Sequence, residues 1–289
     1  MNKIKIFSDS TSDLGEHAEK NNISIIPLQV ICGDNTYLDD SDLSIEFLFE
    51  WADKNKTTPK TAVCGIEFSK EKIKPWLDDG WDIIFLGISE SMSFSCNAVR
   101  LAAEELGCTS RVHVIDSLSL SNGVAIQVLR AKELVDEGFS AEEIVRKITG
   151  DRDRVRASFV INTLTYLQRG GRCSAVLALA ANTLSLKPKI YLKDGKMSVG
   201  KKYIGSIATA VKKYIGDMKP ELMRADKRRI FVVDTMQPEN SYIVENTVNL
   251  IKEMDIFEEV LIARAGSIIS SHCGPNTLGV MFYDSLTDE

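Results

Sequence analysis

The sequence predicts an α/β protein in two parts, a parallel-sheet domain over residues 1–155 and an α+β domain over residues 156–289. Strand-like and helix-like segments alternate through most of the first part, which is the pattern of a parallel sheet covered by helices on both faces. Within it, Asp82–Ile88 is almost wholly apolar, as expected for a central parallel strand. In the second part, Asp194-Gly195 marks a two-residue hairpin turn, so antiparallel strands mix with strand–helix units there.

The composition is that of a soluble globular protein, with 44% hydrophobic and 26% charged residues. The net charge of −6 argues against nucleic acid as the main partner, because a phosphate backbone requires a basic surface. No apolar run approaches the roughly 18 residues of a membrane-spanning helix. We therefore expect no integral membrane segment, while transient contact with a membrane surface stays compatible with this composition.

Six cysteines are spread along the chain without a Cys-x-x-Cys pair. This spacing fits reduced thiols better than a disulfide framework or a zinc site, so we expect a cytoplasmic location and no metal centre. The first ten residues contain a short apolar alternation rather than the long apolar run of a signal peptide, and they predict a strand.

The first elements follow from alternation and from capping residues. Ile4–Phe7 predicts an opening strand, and Ser12 is a candidate N-cap for the helix after it, with Asp13 complementing the helix dipole. Ile23–Val30 predicts a second strand. Pro27 within that strand has no N–H to donate, which places the strand at an edge or a bulge.

Hydroxyl side chains cluster at two places in the N-terminal part. Asn55–Ala62 is expected to be a polar loop, and it contains Thr61. Ser93 lies in a serine-rich segment between the apolar strand and a helix predicted over Asn97–Leu106. Open α/β sheets bind ligands at the carboxyl ends of their strands, where helix N-termini favour anions, so this edge is a candidate binding site.

A glycine pair interrupts the chain at the start of the second part. A short helix is expected over Leu164–Arg169 and should end at Gly170-Gly171, because glycine adopts the left-handed C-terminal cap without strain. Arg172 is the first side chain after this stop. Beyond it, a largely apolar helix is expected over Ala175–Leu184, which should therefore be buried.

Residues that could begin and end this apolar helix are present on both sides of it. Ser174 is a candidate N-cap, and Lys187-Pro188 is expected to end the helix.

The spacing of apolar residues predicts the remaining strands and helices, and one histidine falls in a predicted loop. Gly266–Pro275 is expected to be that loop, and His272 within it lies between serines and a Gly-Pro turn rather than on an apolar face, which makes it a candidate ligand contact. The other predicted strands are Val112–Ile115, Arg229–Asp234, Val260–Ala263 and Thr277–Tyr283, and the other predicted helices are Ser44–Lys54, Glu67–Leu77, Asn122–Glu137, Ala141–Thr149, Ser206–Asp217 and Glu239–Met254.

Short motifs recur along nearly the whole chain in a consistent order. They are Asp9-Ser10-x-x-Asp13-Leu14, Lys60-Thr61, Ile88-Ser89 with Ser93, Asp116-Ser117, Leu164-x-Tyr166-Leu167-x-x-Gly170-Gly171-Arg172, Lys187-Pro188, Asp194-Gly195 and His272-x-Gly274-Pro275. In this order they resemble the DegV family, which includes the FakB-like, fatty-acid-binding subunits of bacterial fatty acid kinase.

The resemblance implies a two-domain DegV-like fold with a ligand tunnel between the domains. The apolar helix Ala175–Leu184 is our candidate for a wall of that tunnel. It implies a bound long-chain fatty acid, palmitate-, stearate- or oleate-like, whose carboxylate contacts Thr61, Ser93 and His272. It also implies a carrier without catalytic residues or cofactor. Such a carrier presents the acid to a separate fatty acid kinase subunit, which makes acyl-phosphate for phospholipid synthesis, and Arg172 would serve that partner or the transferred phosphate.

Two other functions stay open at this point. One is a serine hydrolase acting on an acyl ester, with Ser93 as nucleophile and His272 as base, although no G-x-S-x-G elbow surrounds Ser93 and no orienting acid can be assigned. The other is a carrier of a different small anionic lipid with no kinase partner. The glycine-rich phosphate loops of nucleotide-binding enzymes are absent from the sequence.

Overall fold

The computed structural model describes residues 3–40, 43–177 and 186–285. The strands in chain order are β1 (Lys3–Asp9), β2 (Ser24–Ile26), β3 (Gln29–Cys32), β4 (Asn35–Leu38), β5 (Lys60–Ala62), β6 (Trp81–Gly87), β7 (Val112–Asp116), β8 (Val155–Val160), β9 (Leu186–Lys193), β10 (Lys196–Ile204), β11 (Ala225–Asp234), β12 (Glu259–Arg264) and β13 (Leu278–Asp284). The helices are α1 (Glu16–Lys20), α2 (Ile45–Asn55), α3 (Ile66–Asp78), α4 (Ser95–Glu105), α5 (Asn122–Asp136), α6 (Ala141–Asp151), α7 (Thr165–Gly170), α8 (Ser174–Leu177), α9 (Ile207–Leu222), α10 (Tyr242–Lys252) and α11 (Ser267–Cys273).

The N-terminal sheet is parallel, with the strand order β2-β1-β6-β7. Successive residues of β6 point to opposite faces. Ile83 and Phe85 pack among residues of α3 and α4, whereas Ile84 and Leu86 pack among residues of α5 and α6. Both faces of β6 are therefore buried, which explains why Asp82–Ile88 is apolar without alternation and confirms the predicted parallel sheet.

The C-terminal sheet is mixed, with the order β10-β9-β8-β13-β11-β12. The pair β11–β12 is parallel, and the other neighbours are antiparallel. One face, including Val280 and Phe282, packs against Tyr214 of α9 and residues of α10. The other face, including Phe159 and Met281, belongs to the same hydrophobic core as α5 and the N-terminal sheet. The predicted mixed C-terminal part is confirmed.

Helix α5 lies between the two sheets, where it contacts β1 on one side and β8, β11 and β13 on the other. A third, antiparallel sheet of order β4-β3-β5 stands beside them. Val30 of β3 and Leu48 of α2 form a separate cluster with Ile268 of α11. The two large sheets and the helix α5 between them thus form layers. Helix α11 lies between the small sheet and this layered part. The proposed domain division at residue 155, where β8 begins, stays a prediction.

Two expectations about the N-terminal part are wrong. Pro27 does not lie inside a single strand but separates β2 from β3, which belong to different sheets, because proline cannot continue the ladder. Ser12 does not cap a helix. It lies in a 3-10 turn, its hydroxyl donates to the carbonyl oxygen of Asp9 at 2.9 Å, and α1 begins at Glu16.

Local pattern also misassigned three later segments. The expected loop Asn55–Ala62 ends in β5, which pairs with β3, and Lys187-Pro188 lies within β9 instead of ending a helix. Gly266–Pro275 is not a loop, since α11 occupies most of it. Most of the expected helix Ala175–Leu184 falls on residues 178–185, which lie outside the described residues, and α8 begins at Ser174 itself.

Candidate functional site

A cavity of about 280 Å³ lies between the two large sheets and beside α11. This volume is near the lower end of small-molecule pockets, roughly 300 Å³. Most of its wall is apolar, including Leu28, Ile88, Met92, Leu120, Phe159, Leu167, Met197, Val233, Ile268, Ile269 and Met281. The wall is suited to an apolar ligand.

Thr61, Ser93, Arg172 and His272 all line this one cavity. Thr61 comes from β5, Ser93 from the segment between β6 and α4, Arg172 from the turn after α7, and His272 from the last turn of α11. Four segments that are far apart in sequence therefore meet at one cavity. Whether these residues hold a carboxylate stays a prediction.

The serine-rich segment divides its hydroxyls between two tasks. Ser89 and Ser91 donate to the carbonyl oxygen of Gly195, so they tie the β9–β10 hairpin turn to the N-terminal sheet. Ser93 lies on the cavity wall, and its hydroxyl oxygen accepts the amide of Ser95 at 3.3 Å. The Asp194-Gly195 hairpin turn itself is formed as predicted, with φ of 52° and 73°.

Thr61 and His272 contact each other directly. The hydroxyl oxygen of Thr61 lies 2.9 Å from Nε2 of His272. Burial, together with the positive charge of Arg172, lowers the pKa of His272 to about 4. The imidazole is therefore neutral at neutral pH, and it carries one N–H rather than two.

Gly170 leaves room for the His272 ring. A Cβ at this position would overlap Nδ1 of His272, so a larger residue would have to displace the ring. Gly171 has a separate role, because its φ of 68° is the left-handed helix cap predicted from the sequence. Sequence reasoning missed the role of Gly170, since nothing near it in sequence indicates that a histidine packs there.

Arg172 lies at the exposed edge of the cavity wall. Its side chain donates from Nη1 to the carbonyl oxygen of Gly170 at 2.8 Å, and no ion pair joins it to any residue in the described ranges. Gly170 therefore contacts both side chains: its carbonyl oxygen accepts from Arg172, and its Cα packs against the ring of His272. An anion that reaches this edge would find a guanidinium without a competing carboxylate among the described residues.

Two buried aspartates from the N-terminal part hold the N-terminus of α11. One carboxylate oxygen of Asp39 accepts the amide of Ser267 at 2.8 Å and also the Ser267 hydroxyl. Asp13 accepts the amide of Gly266 at 2.8 Å and the hydroxyl of Ser121. Burial raises the pKa of Asp13 well above its usual range, and the neighbouring Asp39 adds to the rise.

These contacts correct the expectation for Asp13, which does not complement the dipole of the helix after Ser12 but is buried and accepts the amide of Gly266 at the start of α11. The sequence around Asp39 does not indicate its role, because its partner Ser267 lies 228 positions away. The helix that carries His272 is thus positioned from its far end by carboxylates that sequence reasoning missed.

The geometry does not assemble a serine-hydrolase triad from the described residues. Nε2 of His272 contacts Thr61 rather than the hydroxyl of Ser93. Nδ1 of His272 is buried and has no hydrogen-bond partner within the described part of the chain, so no carboxylate orients the ring there. A general base in such a triad needs both contacts.

The described ranges contain no group of three or more His, Cys, Asp or Glu side chains arranged to hold a metal ion. Among the same residues, no helix combines the length and apolar character needed to cross a bilayer.

The fold and cavity define a class of protein, an α/β protein with a parallel and a mixed sheet enclosing a largely apolar pocket that also has polar lining residues. The chain belongs to the DegV family, because the family model described as "Uncharacterised protein, DegV family" matches residues 3–285. A DegV domain-containing protein of Clostridium perfringens is 29% identical over 285 residues, which cover 98% of this chain and 99% of that protein.

Solved structures agree with this assignment. A fatty-acid-binding DegV family protein from Thermus thermophilus superposes with a TM-score of 0.89 at 27% identity, covering 98% of this chain and 100% of that chain. The fatty acid kinase B3 protein of Streptococcus pneumoniae, loaded with linoleic acid, superposes with a TM-score of 0.83 at 21% identity and covers the same shares. At this lower identity, the similarity to the Streptococcus protein shows a shared fold.

Proposed function

We propose that this protein is a fatty-acid carrier that holds the acyl chain in the cavity between the sheets and the carboxylate against Thr61, Ser93 and His272. The observation that carries the proposal is that these three polar side chains line the same largely apolar cavity, where Thr61 and His272 are in hydrogen-bond contact. Fatty acid binding by the Thermus relative supports it.

The energetics of such a ligand favour tight retention. A palmitate-like chain that buries about 14 methylenes gains roughly 11 kcal/mol gross at about 0.8 kcal/mol each. Immobilising the ligand costs about 4 kcal/mol or more. The carboxylate still needs hydrogen bonds, because a desolvated charge without partners is strongly unfavourable.

A neutral His272 carries one ring proton, on either Nε2 or Nδ1. If Nε2 carries the proton, it donates to the Thr61 oxygen and leaves the Thr61 hydroxyl free to donate to the carboxylate. Ser93, whose oxygen accepts a backbone amide, has its own proton available as a second donor. In this arrangement His272 stabilises the donor orientation of Thr61 without bearing a charge.

We further propose that the carrier acts without chemistry of its own, has no cofactor, and presents its fatty acid to a separate kinase subunit for phosphorylation. Arg172 suits this role, since it lies exposed beside the cavity and makes no ion pair within the described ranges. Its guanidinium can contact an acidic partner or the transferred phosphate. Phospholipid synthesis and a cytoplasmic location stay predictions of the same proposal.

Native mass spectrometry tests the proposal. The protein is delipidated, reloaded with palmitate or oleate, and compared with a Ser93→Ala variant and a Ser110→Ala control in the turn before β7. We expect one fatty acid per wild-type or control chain and weaker retention by Ser93→Ala. A wild-type chain that takes up neither acid contradicts the proposal.

The serine-hydrolase alternative predicts a different mass spectrum. An activated acyl ester should leave a covalent adduct on Ser93 if that hydroxyl is a nucleophile. We expect noncovalent acid only, because His272 is bonded to Thr61 and the described residues provide no acid at its Nδ1.

A further inference from the structure

Gly279 is the second residue of β13, which is a central strand of the mixed sheet, and it is paired with neighbouring strands on both sides. Its backbone does not require glycine, since its φ is outside the left-handed region. Glycine inside a strand weakens it, and such a glycine often marks a place where a ligand approaches the backbone closely. The position therefore needs an explanation other than backbone conformation.

The strand register shows which face the missing side chain would occupy. Gly279 is paired with Phe159 of β8 on one side and with Val233 of β11 on the other. Met281 follows two positions later on the same face. A Cβ at residue 279 would lie 3.1 Å from each of these three side chains.

All four residues line the cavity. Phe159, Val233 and Met281 thus surround a short length of bare strand that faces the cavity, while the opposite face of β13 packs on α9 and α10. A side chain at position 279 would press on Phe159, Val233 and Met281, and because all three line the cavity, their displacement would change the shape of its wall.

We propose that Gly279 is a specificity-determining residue that sets the path, and hence the preferred length, of the hydrocarbon tail. This rests on the proposed function, because it assigns the cavity to an acyl chain. The tail lies over the bare backbone of residue 279, in contact with Phe159 and Val233, and the flexible Met281 side chain adapts to it.

The expected effect follows from the burial of methylenes. Each methylene excluded from the cavity changes the binding constant about fourfold, from about 0.8 kcal/mol per methylene and 1.4 kcal/mol per factor of ten. Gly279→Val should exclude about two methylenes or more, so the longest acids should lose roughly tenfold in affinity relative to the shorter ones.

The test is a competition. Delipidated protein is offered an equimolar mixture of straight-chain saturated acids from decanoic to octadecanoic, and the retained acids are identified by mass spectrometry. Gly279→Ala and Gly279→Val should shift the retained distribution to shorter chains, the second more strongly. Gly216→Ala is the matched control, since that glycine of α9 has open space around its Cβ direction.

A second variant keeps the test independent of any misfolding of Gly279→Val. Met281→Ala widens the same path and should shift the distribution to longer or bulkier acids. An unchanged distribution in Gly279→Ala and Met281→Ala overturns the assignment of Gly279 while leaving the carrier function intact. A wild-type protein that retains none of the acids overturns the carrier function itself.

Discussion

The hydroxyl of Thr61 lies 2.9 Å from Nε2 of His272, although 211 positions separate the two residues. One residue belongs to a short strand of the small sheet and the other to the last turn of α11. Their contact joins the N-terminal and C-terminal parts at the polar edge of the cavity, and the predictions below concern the groups that maintain or use it.

Replacing Thr61 with valine should weaken fatty acid retention about 10-fold to 100-fold, because one hydrogen bond to a charged group is worth about 1.5–3 kcal/mol. The shape of the side chain is nearly kept, but Nε2 of His272 loses its hydrogen-bond partner, so stability should also fall by about 1–3 kcal/mol. Equilibrium binding of a fluorescent fatty acid measures the change. Thr57→Val is the control, since Thr57 is exposed, and equal affinity in the two variants would contradict the role of Thr61.

The stability of the unliganded protein should fall as the pH is lowered through the range from 6.5 to about 4, in part because of His272. Its pKa is lowered on folding, so the unfolded chain binds the proton more tightly, and the stabilisation present above pH 6.5 is lost toward pH 4. The upper limit of this contribution is roughly 3 kcal/mol.

Urea unfolding at several pH values measures this contribution. The difference between wild type and His272→Gln should shrink on acidification, whereas groups such as Asp13 contribute to both proteins. A difference that stays constant across the range would show that His272 does not titrate as described.

Removal of the Asp39 carboxylate should destabilise the protein by about 2–4 kcal/mol, because the amide and hydroxyl of Ser267 would be left buried without their partner. Since α11 carries His272, fatty acid retention should fall as well. Thermal unfolding and ligand binding of Asp39→Ala measure both effects. Asp34→Ala, at an exposed position, should change neither, and full ligand affinity in Asp39→Ala would separate α11 capping from the site.

A methyl group at residue 170 should displace His272, because the Cβ of alanine would overlap Nδ1 of the ring. We expect Gly170→Ala to lose about 1–3 kcal/mol of stability and at least about tenfold in fatty acid affinity. Gly150→Ala is the control, since its Cβ meets no neighbouring atom within 4 Å. Calorimetry gives both quantities, and wild-type affinity in Gly170→Ala would refute the packing role of Gly170.

Arg172→Ala should retain its fatty acid but support little acyl-phosphate formation by a bacterial fatty acid kinase subunit, because the guanidinium lies at the exposed edge of the cavity. Coupled phosphorylation assays and mass spectrometry of the loaded protein give the two readouts. Arg169→Ala is the control, since Arg169 is an exposed arginine within α7. Loss of the lipid itself would place Arg172 in ligand retention instead.

Several elements follow from local sequence because their causes are local. The apolar run Asp82–Ile88 predicts a strand buried on both faces, Asp194-Gly195 predicts the hairpin turn, and Gly171 predicts the left-handed helix end, and all three are present. The spacing of apolar residues and the preference for positive φ depend on residues that are adjacent in the chain, so a short stretch of sequence is enough to predict them.

By itself, then, the sequence determined the fold class, most of the strands, and the family to which the chain belongs. Only the tertiary structure decided that Gly266–Pro275 folds as α11 and how Thr61, Ser93, Arg172 and His272 come to line one cavity. The physical reason is distance along the chain. The short α11 is held by carboxylates more than 200 positions away, and burial between two sheets supplies the contacts that no local pattern encodes.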